Sequence, residues 1–337
     1  MAGNMRNLGF VLKSRPTRET PAGVHNFEMI ERSVADPADG QVLVRQIFMS
    51  LDPYMRGRMN DGKSYAQPQK LGEIMGGGAV GEVIASRNER FKAGDKVLGS
   101  GGWQQFALSD GRDLRKLPAG RLPIEAYLGP AGMPGITAWY GTNKIIGPKP
   151  GETFVVSAAT GAVGTVVGQL AKLAGARVVG IAGGSDKCRF AEQEMGLDVC
   201  VDHRAADFEA RFNAAVPDGV DGLFENVGGD PFRLAMRRIN PFSRIALCGL
   251  VASGYDGTPT ALEDMRMVLN ARCRIEGFIV SDHMPLWPQA ISELSEHILA
   301  GRIKWRTSVA EGIEAAPAAF FAMLKGGNFG KQLVRLG

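Results

Sequence analysis

Cysteine is scarce in this chain and comes late. None precedes Cys188, and the four present (Cys188, Cys200, Cys248 and Cys273) form no Cys-x-x-Cys pair. A four-cysteine structural metal site in the first half is therefore excluded, because such a site needs clustered thiolates. The same scarcity speaks against a disulfide scaffold and makes a reduced, cytoplasmic protein the expectation. Histidine is nearly as rare, and only His25 lies before His203. Long apolar runs are missing too. No stretch approaches the roughly 18 residues of a membrane span. The opening "MAGNMRNLGFVLKSRP" carries no apolar h-region, so no secretory signal is expected. Charge is nearly balanced, with 39 basic against 35 acidic residues giving +4. An excess this small and this evenly spread excludes the basic face of a nucleic-acid binder. It fits a solvated surface, or a pocket for a small molecule that carries phosphate. There is no Gly-x-Ser-x-Gly nucleophile elbow, no internal repeat and no low-complexity linker.

What is abundant is glycine, with 45 residues set between apolar runs, which points to turns and close backbone approaches rather than disorder. Apolar residues make up 45%, enough to fill real cores. At about 100–200 residues per domain, the length predicts two domains. The first third reads as β. Gln41–Asp52, Gly76–Ser86 and Asp95–Ser109 are strand-like and separated by glycine-rich turns, the pattern of a barrel or sandwich. Arg115–Gly129 reads as a crossing segment. From about Gly151 the rhythm becomes strand, turn, helix. "TFVVSA" is a buried strand. In the helix that follows, Val163, Val166, Val167, Leu170 and Ala174 share one face, and Gly175 is placed to end it. "RVVGIAG" is the next strand, and Ser185 is expected to cap the helix after it. "GLFENVGG", "RIALCGL" and "RIEGFIV" supply three more strands. Strands and helices alternating on short loops imply a parallel sheet with right-handed crossovers. The tail "GNFGKQLVRLG" ends strand-like and is placed to return to the first domain.

The junction "VVSAATGAVG" has the spacing of a dinucleotide fingerprint, with Ala159 in place of the first glycine, then Gly161 and Gly164. Those positions serve a tight turn, approach of a pyrophosphate to the backbone, and close helix–strand packing. The N–H groups from Ala162, Val163 and Gly164 then open the helix toward an anion. The end of the second strand chooses the coenzyme. A carboxylate there would hold a ribose 2′-OH, but this chain has Ala182, Gly183 and Gly184, with Lys187 close behind. Uncharged walls with a lysine beside them favour the 2′-phosphate of NADP over NAD, although Lys187 alternatively is a solvated lysine of the helix's first turn.

These residues, with "SLDPYMRGRM", "GMPGITAWYG", "FENVGG", "EGFIVSD" and "GNFGKQLVR", resemble the prostaglandin reductase and alkenal double-bond reductase branch of the zinc-independent medium-chain dehydrogenases, in order and over nearly the whole chain. The resemblance implies an α/β protein: a GroES-like β-rich catalytic domain at about 1–130, completed by about 305–337, and a Rossmann doubly wound parallel-sheet domain at about 131–304. It also implies a homodimer that uses NADPH to reduce the carbon–carbon double bond of α,β-unsaturated aldehydes or ketones, with hydride delivered to the β-carbon. Alcohol dehydrogenase relatives need first-domain thiolates for zinc, and this chain has none before Cys188, so no metal is expected.

Enone reduction needs donors where charge collects on the carbonyl oxygen. Tyr54 in "DPYMR" and Tyr255 in "SGYDG" are the candidates by resemblance, although the loop bearing Tyr255 is one residue longer than the family's pattern. Either tyrosine alternatively packs with a satisfied hydroxyl. Coenzyme contacts carry over to Asn226, to Cys248, Gly249 and Leu250, to Phe278 and Val280, and to Asn328. His203 stands where the family often has tyrosine, and it and Arg204 are either 2′-phosphate partners or solvated loop residues. Arg56 either shapes the substrate pocket or, more simply, pairs with a surface carboxylate. Met133 and Met284 are candidates to touch a hydrophobic substrate, whereas His25, His283 and His297 form no constellation. Two other readings stand beside the enone reductase: a quinone reductase on the same scaffold, and a coenzyme-binding protein without turnover.

Overall fold

The computed structural model describes residues 5–62, 64–252 and 260–337. The chain divides into two compact units, one of Met1–Leu128 with Thr307–Gly337 and one of Gly129–Arg306.

In the first unit the strand Val42–Ser50 is the hub. It pairs antiparallel with Ala79–Ser86, with Phe106–Ser109 and with the C-terminal strand Lys331–Arg335. Its residues are buried on both faces near its end, where Met49 and Leu51 enter a core with Phe27, Met55, Met59, Trp103, Phe320 and Val334. Trp103 stacks on Phe27 at 5.0 Å and meets the edge of Phe320, so aromatic packing anchors the tail to the body of the unit. The single strand expected over Asp95–Ser109 is two, Lys96–Gly99 and Phe106–Ser109. The break falls at Gly102, whose φ of +74° an L side chain rarely adopts.

The second unit holds a parallel sheet. Its order is Val199–Asp202, Arg177–Ala182, Thr153–Ser157, Val220–Glu225, Ile239–Leu247, Arg274–Gly277. Numbered along the unit this is 3-2-1-4-5-6, the doubly wound arrangement. The order reverses between Thr153–Ser157 and Val220–Glu225, and the crevice at their carboxyl ends is where such sheets bind ligands. The third strand, Val199–Asp202, is short and carries a cysteine, too brief for a periodicity reading to find. The helix after the fingerprint runs Gly164–Leu173 and is buried from Gly164 to Ala171. Gly175 follows it at φ +85°, as a helix-terminating glycine should. Ser185 is not the cap expected of it. The helix Ser185–Gln193 begins with Ser185 itself, and Gly184, at φ +104°, occupies the cap.

Candidate active site

The candidate residues divide between the two units. In the second, the fingerprint strand Thr153–Ser157 is followed by Ala158, held at φ +48°. Ala159 then tucks inward, wholly buried, donating its N–H to the Ile181 carbonyl at 2.9 Å. Its methyl fits because Gly180, on the neighbouring strand, has none: a Cβ there would stand 2.9 Å from the Ala159 Cβ. The missing first glycine is thus offset by one across the sheet. Gly164 is not replaceable, since a Cβ there would lie 2.2 Å from the Ala158 carbonyl oxygen, and the Gly161 position is tight at 3.2 Å from the same atom. Ala162 and Val163, half-buried, lead into the helix, where the Thr165 and Val166 N–H groups donate to the Gly161 and Val163 carbonyls, each at 3.0 Å. Gly164→Ala is expected to cost about 1–3 kcal/mol of stability through overpacking and to weaken coenzyme binding. Thermal unfolding with and without NADPH checks both, and an unchanged melting temperature would contradict the close packing.

The ends of the next two strands form a cationic cradle. His203 N–H donates to the Ala182 carbonyl at 3.0 Å, which fixes the two loops side by side. A Cβ on Gly183 would meet His203 Nε2 at 2.8 Å and Arg204 Nε at 2.9 Å. Two positively charged or chargeable tips thus converge where Gly183 has no side chain. Lys187, half-buried on the first turn of the following helix, adds its charge. Burial, then the nearby Arg204 guanidinium, depresses the Lys187 ammonium, and the same two causes in the same order depress the His203 imidazole. The carboxylate of Asp202 is turned to the backbone, accepting from Gly184 N–H at 2.8 Å and Arg204 N–H at 2.9 Å. It stays below its usual range because these bonds outweigh its burial.

At the switch point sits a group the sequence reading missed. Glu225 is wholly buried. Its Oε1 accepts from Ser157 Oγ at 2.8 Å and from the N–H groups of Val227 at 2.6 Å and Gly228 at 2.8 Å. Burial still raises its pKa against those bonds. Its carbonyl accepts from Cys248 and Gly249 N–H. Asn226 donates from its backbone to Ser157 Oγ and from Nδ2 to the Ser157 carbonyl, both at 2.8 Å. Glu225 and Ser157 therefore bind the carboxyl ends of three strands into one network. The only signal for this in the sequence is an acid ending the apolar run "GLFEN". Gly249 lies so close that a Cβ would be 3.2 Å from the Asn226 carbonyl oxygen. The Cys248 thiol is pushed up to about 12 by burial and by Glu225, so it is no nucleophile. Leu250 follows, half-buried.

Phe278 is buried, its ring against Tyr140 and Phe224, so any contact it makes at the strand ends is through its backbone. Val280 is likewise buried and accepts from Trp287 Nε1. Met133 and Met284 are exposed, and His283 stacks on Tyr140 at 4.0 Å. His297 Nδ1 accepts from Arg302 in a local turn.

In the first unit, Tyr54 opens the short helix Tyr54–Arg58 and packs on the aromatic core. Burial, then the Asp52 carboxylate, raises its phenol well above the usual value, although Arg58 opposes this. The hydroxyl can therefore donate a hydrogen bond, and it also accepts one from Arg58. Beneath it lies a pair that the sequence did not reveal: Lys331 Nζ meets Asp52 Oδ1 at 2.6 Å and the Leu51 carbonyl at 2.8 Å, both side chains nearly fully buried. Ser50 Oγ donates to the other Asp52 oxygen. Arg56 is buried and donates to Asn60 Oδ1 at 2.8 Å. Asn328 closes a local turn, donating to the Gly330 carbonyl. Tyr255 lies outside the described residues.

Residues 9–117 match a family described as the N-terminal domain of oxidoreductase, and residues 162–296 match zinc-binding dehydrogenase. The chain is 44% identical over 340 residues to the NADPH-dependent curcumin reductase of Escherichia coli (strain K12), covering 98% of this chain and 97% of that protein. It is 38% identical to prostaglandin reductase 1 of Rattus norvegicus, covering 92% and 94%. The crystal structure of CurA from Vibrio vulnificus in complex with NADPH superposes with a TM-score of 0.90 at 41% identity, covering 98% of this chain and 99% of that one. With this likeness along both units, on a doubly wound sheet, the chain belongs to the medium-chain dehydrogenase/reductases, in the branch that holds the prostaglandin reductases.

Proposed function

We propose that this protein reduces the carbon–carbon double bond of α,β-unsaturated ketones and aldehydes with NADPH and without a metal. The observation that carries the coenzyme choice is the cradle at Gly183, where His203 and Arg204 converge on space a Cβ would fill and no free carboxylate competes. The residues fit the coenzyme: the fingerprint from Ala159 to Gly164 takes the pyrophosphate, Gly183, Lys187, His203 and Arg204 the 2′-phosphate, and the Asn226 and Cys248–Leu250 ends the nicotinamide side. Phe278 and Val280 by their backbone, and Asn328, complete that set. Bound NADPH supplies the hydride for the β-carbon. The chain's part is to stabilise the charge that then collects on the carbonyl oxygen. Tyr54, whose hydroxyl holds its proton, donates a hydrogen bond there, and Tyr255 is the second donor. Glu225 keeps the strand ends rigid so that the reacting atoms stay aligned.

The absence of any cysteine before Cys188 supports chemistry without zinc. The names of the curcumin reductase and prostaglandin reductase relatives favour an extended enone as substrate. A homodimer belongs to the same reading. The strand Arg274–Gly277 ends the sheet, and the segments beside it expose Phe242, Met265 and Leu269. Four free cysteines and no helix long and apolar enough to cross a membrane, among the described residues, support the cytoplasm as its place.

The test is NADPH oxidation against a panel of an alkenal, a cyclic enone, a long-chain enone and a quinone. Turnover on the enones is expected, and turnover on the quinone alone would overturn the reading. Tyr54→Phe and Tyr255→Phe are each expected to lower kcat on an enone by about tenfold to a hundredfold, the scale of one lost hydrogen bond to developing charge, with NADPH affinity nearly unchanged. Unchanged kcat would return that tyrosine to a packing role.

A further inference from the structure

Resting on the coenzyme assignment above, we infer that His203 takes up a proton when the 2′-phosphate binds, so that preference for NADPH over NADH strengthens as pH falls through neutrality. Three facts place His203 there. Its N–H is locked to the Ala182 carbonyl, its Nε2 and the Arg204 guanidinium close on the empty Cβ position of Gly183, and Lys187 stands on the first turn of the adjoining helix. A neutral imidazole and two fixed cations can share this small space. A third cation, with only the Asp202 carboxylate to offset it, costs more.

The charged groups acting on His203 are Lys187 from the helix and Asp202 and Arg204 from its own loop. Burial, then Arg204 and more weakly Lys187, outweigh Asp202, so the free protein holds the imidazole below its ordinary value. A phosphate monoester brings a charge of about −1.5 to −2. Set against the imidazole, it reverses the balance, favours the imidazolium and gains a charge-assisted hydrogen bond. The sign follows. The bound value lies above the free one, so between them binding takes up a proton. Affinity for the phosphate is greatest at the acid side of that window and falls as pH rises through the bound value. Below about pH 6 the phosphate itself begins to protonate and reverses the trend, so the informative range lies above that.

The experiment is calorimetric titration of NADPH and of NADH, in buffers of differing ionisation enthalpy, at pH values from about 6.5 to 8.5, with the intact protein. The Kd for NADPH is expected to rise with pH, approaching about tenfold per unit, the limit for one linked proton, with proton uptake approaching one. The Kd for NADH stays flat. His203→Gln keeps the backbone N–H that meets the Ala182 carbonyl, and its unfolding midpoint is compared with that of the native protein. It is expected to bind NADPH weakly with no pH slope, and NADH as before. His203→Lys restores tight NADPH binding, again without slope. An equal slope in His203→Gln, a slope for NADH, or no proton uptake would overturn the inference. Equal affinity of the native protein for both coenzymes at every pH would instead overturn the coenzyme assignment.

Discussion

Lys331→Met is expected to destabilise the first unit by about 3–5 kcal/mol, the cost of leaving a partner charge buried and unpaired. Asp52 is nearly sealed from solvent, and Lys331 is the cation that meets it. The Ser50 hydroxyl alone does not neutralise a carboxylate. Asp52→Asn should be nearly as costly, since it strands the ammonium instead. The double variant, with neither charge, is expected to recover most of the loss, because a buried pair differs little in net energy from a well-packed neutral replacement. Midpoints of urea unfolding for the two single variants and the double variant check this. Midpoints within experimental error of the native protein would show that water screens the pair. Catalysis should suffer beyond stability, because Asp52 lies two residues before Tyr54 and its charge acts on the Tyr54 phenol.

Gly183→Asp is expected to weaken NADPH binding by about a hundredfold, close to 3 kcal/mol, while sparing NADH. The new carboxylate would occupy the cradle, pair with His203 and Arg204, and repel the 2′-phosphate. Unit charges about 4 Å apart interact by about 4 kcal/mol at an effective dielectric near 20, and solvent at this exposed rim screens part of that. The same carboxylate would be in place to accept from a ribose 2′-OH, so NADH affinity holds or improves. Titration of both coenzymes decides it. An equal loss for both would mean that the substitution disturbed the fold of the loop, and no loss for either would mean that the phosphate binds elsewhere.

The fold class was legible because its signals are local. The fingerprint spacing, the helix face from Val163 to Ala174 and the apolar strands each stand within a dozen or so residues. The alanine in place of the first glycine puzzled a reading along the chain, because its explanation lies across the sheet in Gly180. Ser185 looked like a cap because serine is a good one, but Gly184 takes the left-handed backbone that the turn requires. The strand Val199–Asp202 was too short to show a period. The buried pair of Asp52 and Lys331 joins residues far apart in sequence, and no pattern announces which lysine will return to which carboxylate. Glu225 shows the same limit: an acid at a strand's end reads as a surface residue until the sheet encloses it.

The most direct test follows deuterium. With NADPH deuterated at the transferable position of its nicotinamide and a long-chain enone, the account predicts a saturated ketone carrying the label at the β-carbon, with the carbonyl retained. An allylic alcohol labelled at the former carbonyl carbon, or coenzyme bound without any transfer, would contradict it.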